Sequence, residues 1–137
     1  MIKEPKLNEQ QKKKRILAVD NDPDNTLVVR IALEDNGFEV DAFNDPTEAI
    51  SAFKPNLYDL LILNIKMPTM DGFKLYQKLR KIDAKAKVCF LSGFGEQYTH
   101  ETGFDLLTSS SSPDISFMRK PVSLDELVKK VNEIINT

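Results

Sequence analysis

Four polar residues stand at the ends of apolar runs, and their types are those that hold ions. Asp20 follows the run 16–19 and opens the stretch Asp20-Asn21-Asp22-Pro23-Asp24-Asn25. Asn64 ends Leu60-Leu61-Ile62-Leu63, Ser92 follows Val88-Cys89-Phe90-Leu91, and Lys120 lies in Met118-Arg119-Lys120-Pro121. A carboxylate carries charge for a hard divalent cation and can act as a nucleophile. A lysine ammonium neutralises an anion, and a hydroxyl can donate a hydrogen bond to one. An asparagine amide has nearly the carboxylate shape but is neutral, so it can do neither job. Asp20, Asp22 and Asp24 also have a plain reading as loop and helix-cap residues, which strand-to-helix turns favour. That plain reading loses weight beside Asn64, Ser92 and Lys120 at the ends of three other apolar runs.

The elements that would position them follow from periodicity. The unalternating run 60–63 predicts a strand buried on both faces, as in a parallel sheet covered by helices. Met67-Pro68 stops it, and Asp71-Gly72 opens a helix with Asp71 as N-cap and Leu75 and Leu79 inward. Residues 16–19 predict the first strand, and a helix with Val29, Ala32 and Leu33 on one face follows, stopped by Gly37. Residues 38–43 alternate apolar with acidic Glu39 and Asp41, which predicts a partly exposed edge strand. Asp45-Pro46-Thr47-Glu48 starts a second helix that ends before Pro55. Residues 87–91 and 115–118 predict strands four and five. Ser123-Leu124-Asp125-Glu126 caps a last helix with an apolar stripe of Leu127, Val128, Val131, Ile134 and Ile135. Between strands four and five, glycines and the serine run 109–112 predict a short fourth helix, packed through Phe94, Tyr98 and Phe104, and a loose loop. His100 reads as a surface residue there. Strands alternating with helices give a doubly wound five-stranded parallel α/β sheet, whose binding sites lie at the carboxyl edge.

Composition narrows the function classes. At 41% hydrophobic and 29% charged residues, the 137-residue chain has the make-up of one soluble globular domain. A net charge of −2 argues against nucleic acid or anionic lipid as partner. No apolar stretch is long enough to span a membrane, and the amino terminus does not read as a signal peptide, so a cytoplasmic protein is expected. The single cysteine, Cys89, lies in an apolar run and reads as a core residue. Residues 1–14, ending in Lys12-Lys13-Lys14, read as a flexible basic leader with a basic docking arm as the alternative. Residues 15–137 read as a single domain, and nothing after the last helix reads as an output domain.

The stretch Asn64-Ile65-Lys66-Met67-Pro68-Thr69-Met70-Asp71-Gly72 resembles the third strand and following loop of response-regulator receiver domains, and the resemblance extends over roughly residues 15–136. It implies the flavodoxin-like receiver topology with strand order 2-1-3-4-5. It also implies that Asn64 stands at the phosphoacceptor position, where the family has an aspartate phosphorylated by a histidine kinase. Asp20 and Asn21 stand where an acidic pair holds Mg²⁺, with the Lys66 carbonyl as a further metal ligand. Ser92 and Lys120 match the residues that contact the phosphoryl group, and Phe117 the aromatic residue whose rotamer reports activation. Lys120-Pro121 is expected to be cis.

Two positions depart from the pattern. Asn64 cannot form an acyl phosphate, and Asn64 and Asn21 each remove a charge from the metal site, so Mg²⁺ binding is expected to be weak or absent and no cofactor is required. The reading that follows is a stand-alone receiver-like module, not an enzyme, that acts by protein–protein interaction. Its partner would be a histidine kinase, a phosphotransfer protein or a downstream effector, docking on the face of helix four, strand five and the last helix. The alternative is an ordinary phosphoaccepting receiver carrying an engineered Asp-to-Asn change at residue 64. A small flavodoxin-like enzyme or cofactor binder is the remote alternative. The loop after strand one is too acidic for a phosphate cradle, and no general base pairs with a nucleophile.

Overall fold

The apolar run at residues 60–63 forms the central strand of the sheet because its side chains alternate between two hydrophobic layers. In the computed structural model, which describes residues 13–93 and 114–136, β3 (Leu60–Asn64) is buried throughout. Leu60 and Ile62 join a cluster with Ile16, Ala18, Leu33, Cys89, Leu91 and Leu127, while Leu61 and Leu63 join Leu17, Val19, Phe73, Leu75, Val88 and Phe90. A strand covered on both faces has no polar side to show, hence the unbroken run.

Around β3 lie β1 (Arg15–Val19), β2 (Glu39–Phe43), β4 (Lys87–Ser92) and β5 (Ile115–Arg119). All pairings are parallel, in the order β2-β1-β3-β4-β5. The doubly wound topology and strand order are those expected. Helix α1 (Pro23–Asp35) and a C-terminal helix (Leu124–Ile135) supply side chains to one layer, and α2 (Pro46–Ala52) and α3 (Gly72–Ile82) to the other.

The caps anticipated from sequence are formed. Asp45 accepts from the Thr47 amide, Asp71 from Lys74 and Ser123 from Glu126. Gly37, just past α1, has a φ of +91°, a conformation open to glycine at no steric cost. Strand β2 is an edge, and its acidic residues are engaged. Arg15 pairs with Glu39 at 2.9 Å and with Asp41 at 3.0 Å, and the Tyr58 hydroxyl donates to Asp41 at 2.7 Å. The face of α1 expected to turn inward does so, Val29 packing against the layer that holds Leu33. Ala32 and Leu33 are buried, but Leu27, Val28 and Ile31 are about half exposed. The expected fourth helix with Phe94, Tyr98, His100 and Phe104 lies outside the described residues, as does the leader over residues 1–12.

Candidate functional site

Because β1 connects outward to β2 and the chain then crosses to β3 on the other side, the carboxyl ends of β1 and β3 flank the point where the strand order reverses. That is where an open α/β sheet has a crevice. Asp20 leaves β1 and Asn64 ends β3 at this crevice, both almost fully buried. Lys120 follows β5, two strands from β3, a separation of roughly 10 Å. Its long stem bridges that gap, and its ammonium donates to Asp20 Oδ2 at 2.8 Å and to Asn64 Oδ1 at 3.0 Å. One lysine thereby ties the ends of β1, β3 and β5 together. Lys120-Pro121 is cis, as expected.

Asp20 is held from several sides. Its Oδ1 accepts from the Asp22 amide at 3.0 Å, and its Oδ2 accepts from Asn25 Nδ2 at 3.3 Å besides Lys120. Behind it, Asn44 Nδ2 donates to the Asp20 carbonyl at 2.8 Å and to Thr26 Oγ1 at 2.9 Å. Asn25, Thr26 and Asn44 were not singled out from sequence. Asn44 sits directly before the Asp45 helix start and reads locally as a turn residue. Asp22 takes the plain role open to it: it is exposed and caps α1 by accepting from the Asp24 amide at 2.9 Å.

Asn64 is bonded at both ends of its amide. Its Nδ2 donates to the Lys66 carbonyl at 2.8 Å and to Asn21 Oδ1 at 3.2 Å, opposite the oxygen that accepts from Lys120. Asn21 is exposed, and Lys66 takes part through its backbone while its side chain is exposed. Gly72 explains how α3 can begin so close. A Cβ there would collide with the Asn64 carbonyl, and the Gly72 amide donates to the Ile65 carbonyl at 2.7 Å.

Ser92 ends β4 fully buried. Its carbonyl accepts from the Lys120 amide at 2.8 Å, while its hydroxyl has no hydrogen-bond partner among the described residues. Phe117, half-buried in β5, stacks on Phe90 with ring centroids 5.4 Å apart, and Phe90 in turn meets Phe73 and Tyr76. A groove of about 400 Å³ runs beside the site between α1 and the C-terminal helix, lined by Asp20, Val28, Lys120, Val122, Leu124 and Leu127.

The donor set does not fit a divalent cation. Mg²⁺ requires oxygen ligands in near-octahedral array, normally with carboxylate charge. Here the one buried carboxylate, Asp20, is occupied by N–H donors, Asn21 and Asn64 are neutral, and Asn64 turns N–H groups toward the other two candidate ligands. Among the described residues, no three Asp, Glu, His or Cys side chains are grouped to hold a metal. With Lys120 beside Asp20, the charged groups joined here, one carboxylate and one ammonium, already balance.

Comparison with known proteins agrees with this architecture. The transcriptional regulatory protein TrcR of Mycobacterium tuberculosis is 31% identical over 121 residues, covering 88% of this chain, which spans only 45% of TrcR. The response regulator receiver protein CpdR of Brucella abortus is 30% identical over 123 residues, covering 89% of this chain and 97% of CpdR. The crystal structure of a CheY-like receiver domain protein from Methanospirillum hungatei superposes with a TM-score of 0.78 at 26% identity, covering 91% of this chain and 95% of that one. The profile of the response regulator receiver domain matches residues 16–132, from the first strand into the last helix and across all the strand ends that build the site. The chain belongs to the response regulator receiver domain family.

Proposed function

We propose that this receiver domain is a signalling module that works by binding a protein partner and is not switched by phosphorylation at residue 64. The observation that carries the reading is the Asn64 amide, hydrogen-bonded through both its oxygen and its nitrogen. An amide so engaged offers no carboxylate to attack phosphorus, and the donors around Asp20 leave that carboxylate committed as well. Weak or absent Mg²⁺ binding, at a site of Asp20, Asn21, Asn64 and the Lys66 carbonyl, belongs to the same proposal. So do the roles of Ser92, Lys120 and Phe117 as remnants of a phosphate pocket and its reporter.

The partner proposed is a histidine kinase, a phosphotransfer protein or a downstream effector. Half-exposed Leu27, Val28, Ile31 and Leu124, on α1 and the start of the C-terminal helix, give α1 a claim as contact surface beside the face of β5 and the C-terminal helix. The net charge of −2 favours protein over nucleic acid. No helix among the described residues is long and apolar enough to cross a membrane. A cytoplasmic setting is part of the proposal.

The second reading is an ordinary receiver whose aspartate at position 64 has been replaced. It draws on Asp20, Ser92 and Lys120 standing at the strand ends, so that one substitution would restore a nucleophile. Acetyl phosphate with Mg²⁺ separates the readings. The chain is expected to show no hydroxylamine-sensitive phosphate, and an adduct at residues 20–22 would overturn the proposal. For Asn64→Asp alone, labelling is expected to stay poor until Asn21→Asp is added, because the metal still lacks a charge. Efficient labelling of the single variant would make the second reading the better one.

A further inference from the structure

We infer that the carboxamide of Asn64 does the bridging work of a divalent cation in this pocket, so that its closed arrangement needs no ion. The inference rests on the functional reading above and names what makes the site unresponsive. Its basis is the direction of the amide. Lys120 Nζ can only donate, so the Asn64 atom 3.0 Å from it is the oxygen; the Lys66 carbonyl can only accept, so the atom 2.8 Å from it is the nitrogen. Both flanking partners are chemically unambiguous, and the amide has one orientation that satisfies them.

In that orientation the NH₂ group lies between two neutral oxygens, Asn21 Oδ1 and the Lys66 carbonyl, brought from the loops after β1 and β3. Oxygens converging from separate loops need a positive centre between them, and the two N–H hydrogens provide it. Asn64 thus fastens the loop after β3 to the loop after β1, while Lys120 fastens β5 to both. The site is nine-tenths or more buried at Asp20 and Asn64, where a hydrogen bond counts for more than on the surface. An aspartate at residue 64 would set a carboxylate oxygen against the Lys66 carbonyl with no hydrogen between them. That pairing is repulsive unless a cation intervenes. Asparagine at residue 64 therefore does two things at once: it offers no nucleophile, and its NH₂ group takes the place between the two oxygens that a cation would otherwise have to fill.

The test follows the intact chain, labelled with ¹⁵N, through a titration with Mg²⁺ while Tm and the Asn64 side-chain amide protons are recorded. Both protons are expected to exchange slowly and to stay unmoved by millimolar Mg²⁺, with Tm constant to within about 1 °C, since a ligand that does not bind the folded state cannot stabilise it. In EDTA, Asn64→Asp is expected to lower Tm by roughly 4 °C or more, as loss of a buried hydrogen-bonded donor does in a domain of this size. In the Asn21→Asp/Asn64→Asp variant, Mg²⁺ is expected to restore part of that loss. A saturable Mg²⁺ shift of the Asn64 protons or of Tm in the unaltered chain would overturn the inference. So would an Asn64→Asp variant as stable in EDTA as the unaltered chain; should that variant not fold, the titration of the unaltered chain decides. The two readings fail separately. An acyl phosphate on the unaltered chain would defeat the functional proposal, whereas a saturable Mg²⁺ response without one would defeat the inference and the Mg²⁺ part of that proposal, leaving a partner-binding module not switched by phosphorylation.

Discussion

Ser92 shows how one side chain can be out of balance in an otherwise satisfied site. Asp20, Asn64 and Lys120 each have partners, yet the Ser92 hydroxyl is fully buried with none among the described residues. Leaving such a group unsatisfied costs about 1–3 kcal/mol, and removing it with little change of volume recovers part of that. Ser92→Ala is therefore expected to leave stability unchanged or raise it by up to about 1 kcal/mol, read from the urea midpoint at constant slope. A loss larger than that would mean that the hydroxyl is held by a group beyond those seen around it. Asp20 is the opposite case, a buried carboxylate whose charge is answered by Lys120 and whose oxygens are filled by donors.

At the scale of elements, the site depends on how closely helices and loops approach strand ends. Helix α3 starts against the last residue of β3, and Gly72 is the point of contact. A methyl group there would meet the Asn64 backbone, which cannot yield without moving the amide that holds the loop. Gly72→Ala is expected to destabilise by about 1–3 kcal/mol, the usual range for overpacking a rigid contact. It should also shift the Asn64 amide resonances; a variant with unchanged Tm and unshifted resonances would show that α3 has room to slide. Strand β2 illustrates a different economy. Its acidic alternation marks an edge, and the same residues bind that edge to β1 through Arg15 and, at Asp41, to Tyr58.

Across the whole molecule, the two-sided core sets the response to alkali. Burial pushes the Cys89 thiol up to about 12. Burial, then the hydrogen bond to Asp41 and its charge, raises the Tyr58 phenol, and burial raises Tyr76. Each group prefers its neutral form more strongly when folded than when unfolded. Its stabilising effect is complete below the unfolded-state value, 9.0 for the thiol and 10.0 for the phenols, and is lost as pH rises toward the folded-state value. Stability is therefore expected to fall above about pH 9, and Cys89→Ala to remove the earliest part of the fall, measured by urea unfolding at a series of pH values. A midpoint that rises over this range, or a Cys89→Ala variant with the same early slope, would contradict the account. The same burial makes Cys89 a core residue and not a reactive thiol.

Much of this was legible along the chain because it is local. Unbroken apolar runs marked the strands, and Asp45, Asp71, Ser123 and Gly37 marked helix ends, since caps act on amides two or three residues away. The strand order came from the resemblance carried by Asn64 to Gly72, and with it the choice of Asp20, Asn64, Ser92 and Lys120 as one group. Sequence alone also determined that residue 64 carries no nucleophilic carboxylate. It could not say which of Asp20 and Asp22 would meet Lys120, that Asn25 and Asn44 would position the first loop, or why residue 72 is glycine. Nor could it orient the Asn64 amide. Those answers depend on side chains far apart in the chain, Lys120 lying 100 residues beyond Asp20 and Asn64 43 beyond Asn21. Only when the sheet sets their strand ends side by side does each donor meet an acceptor, and hydrogen-bond direction is decided by that meeting.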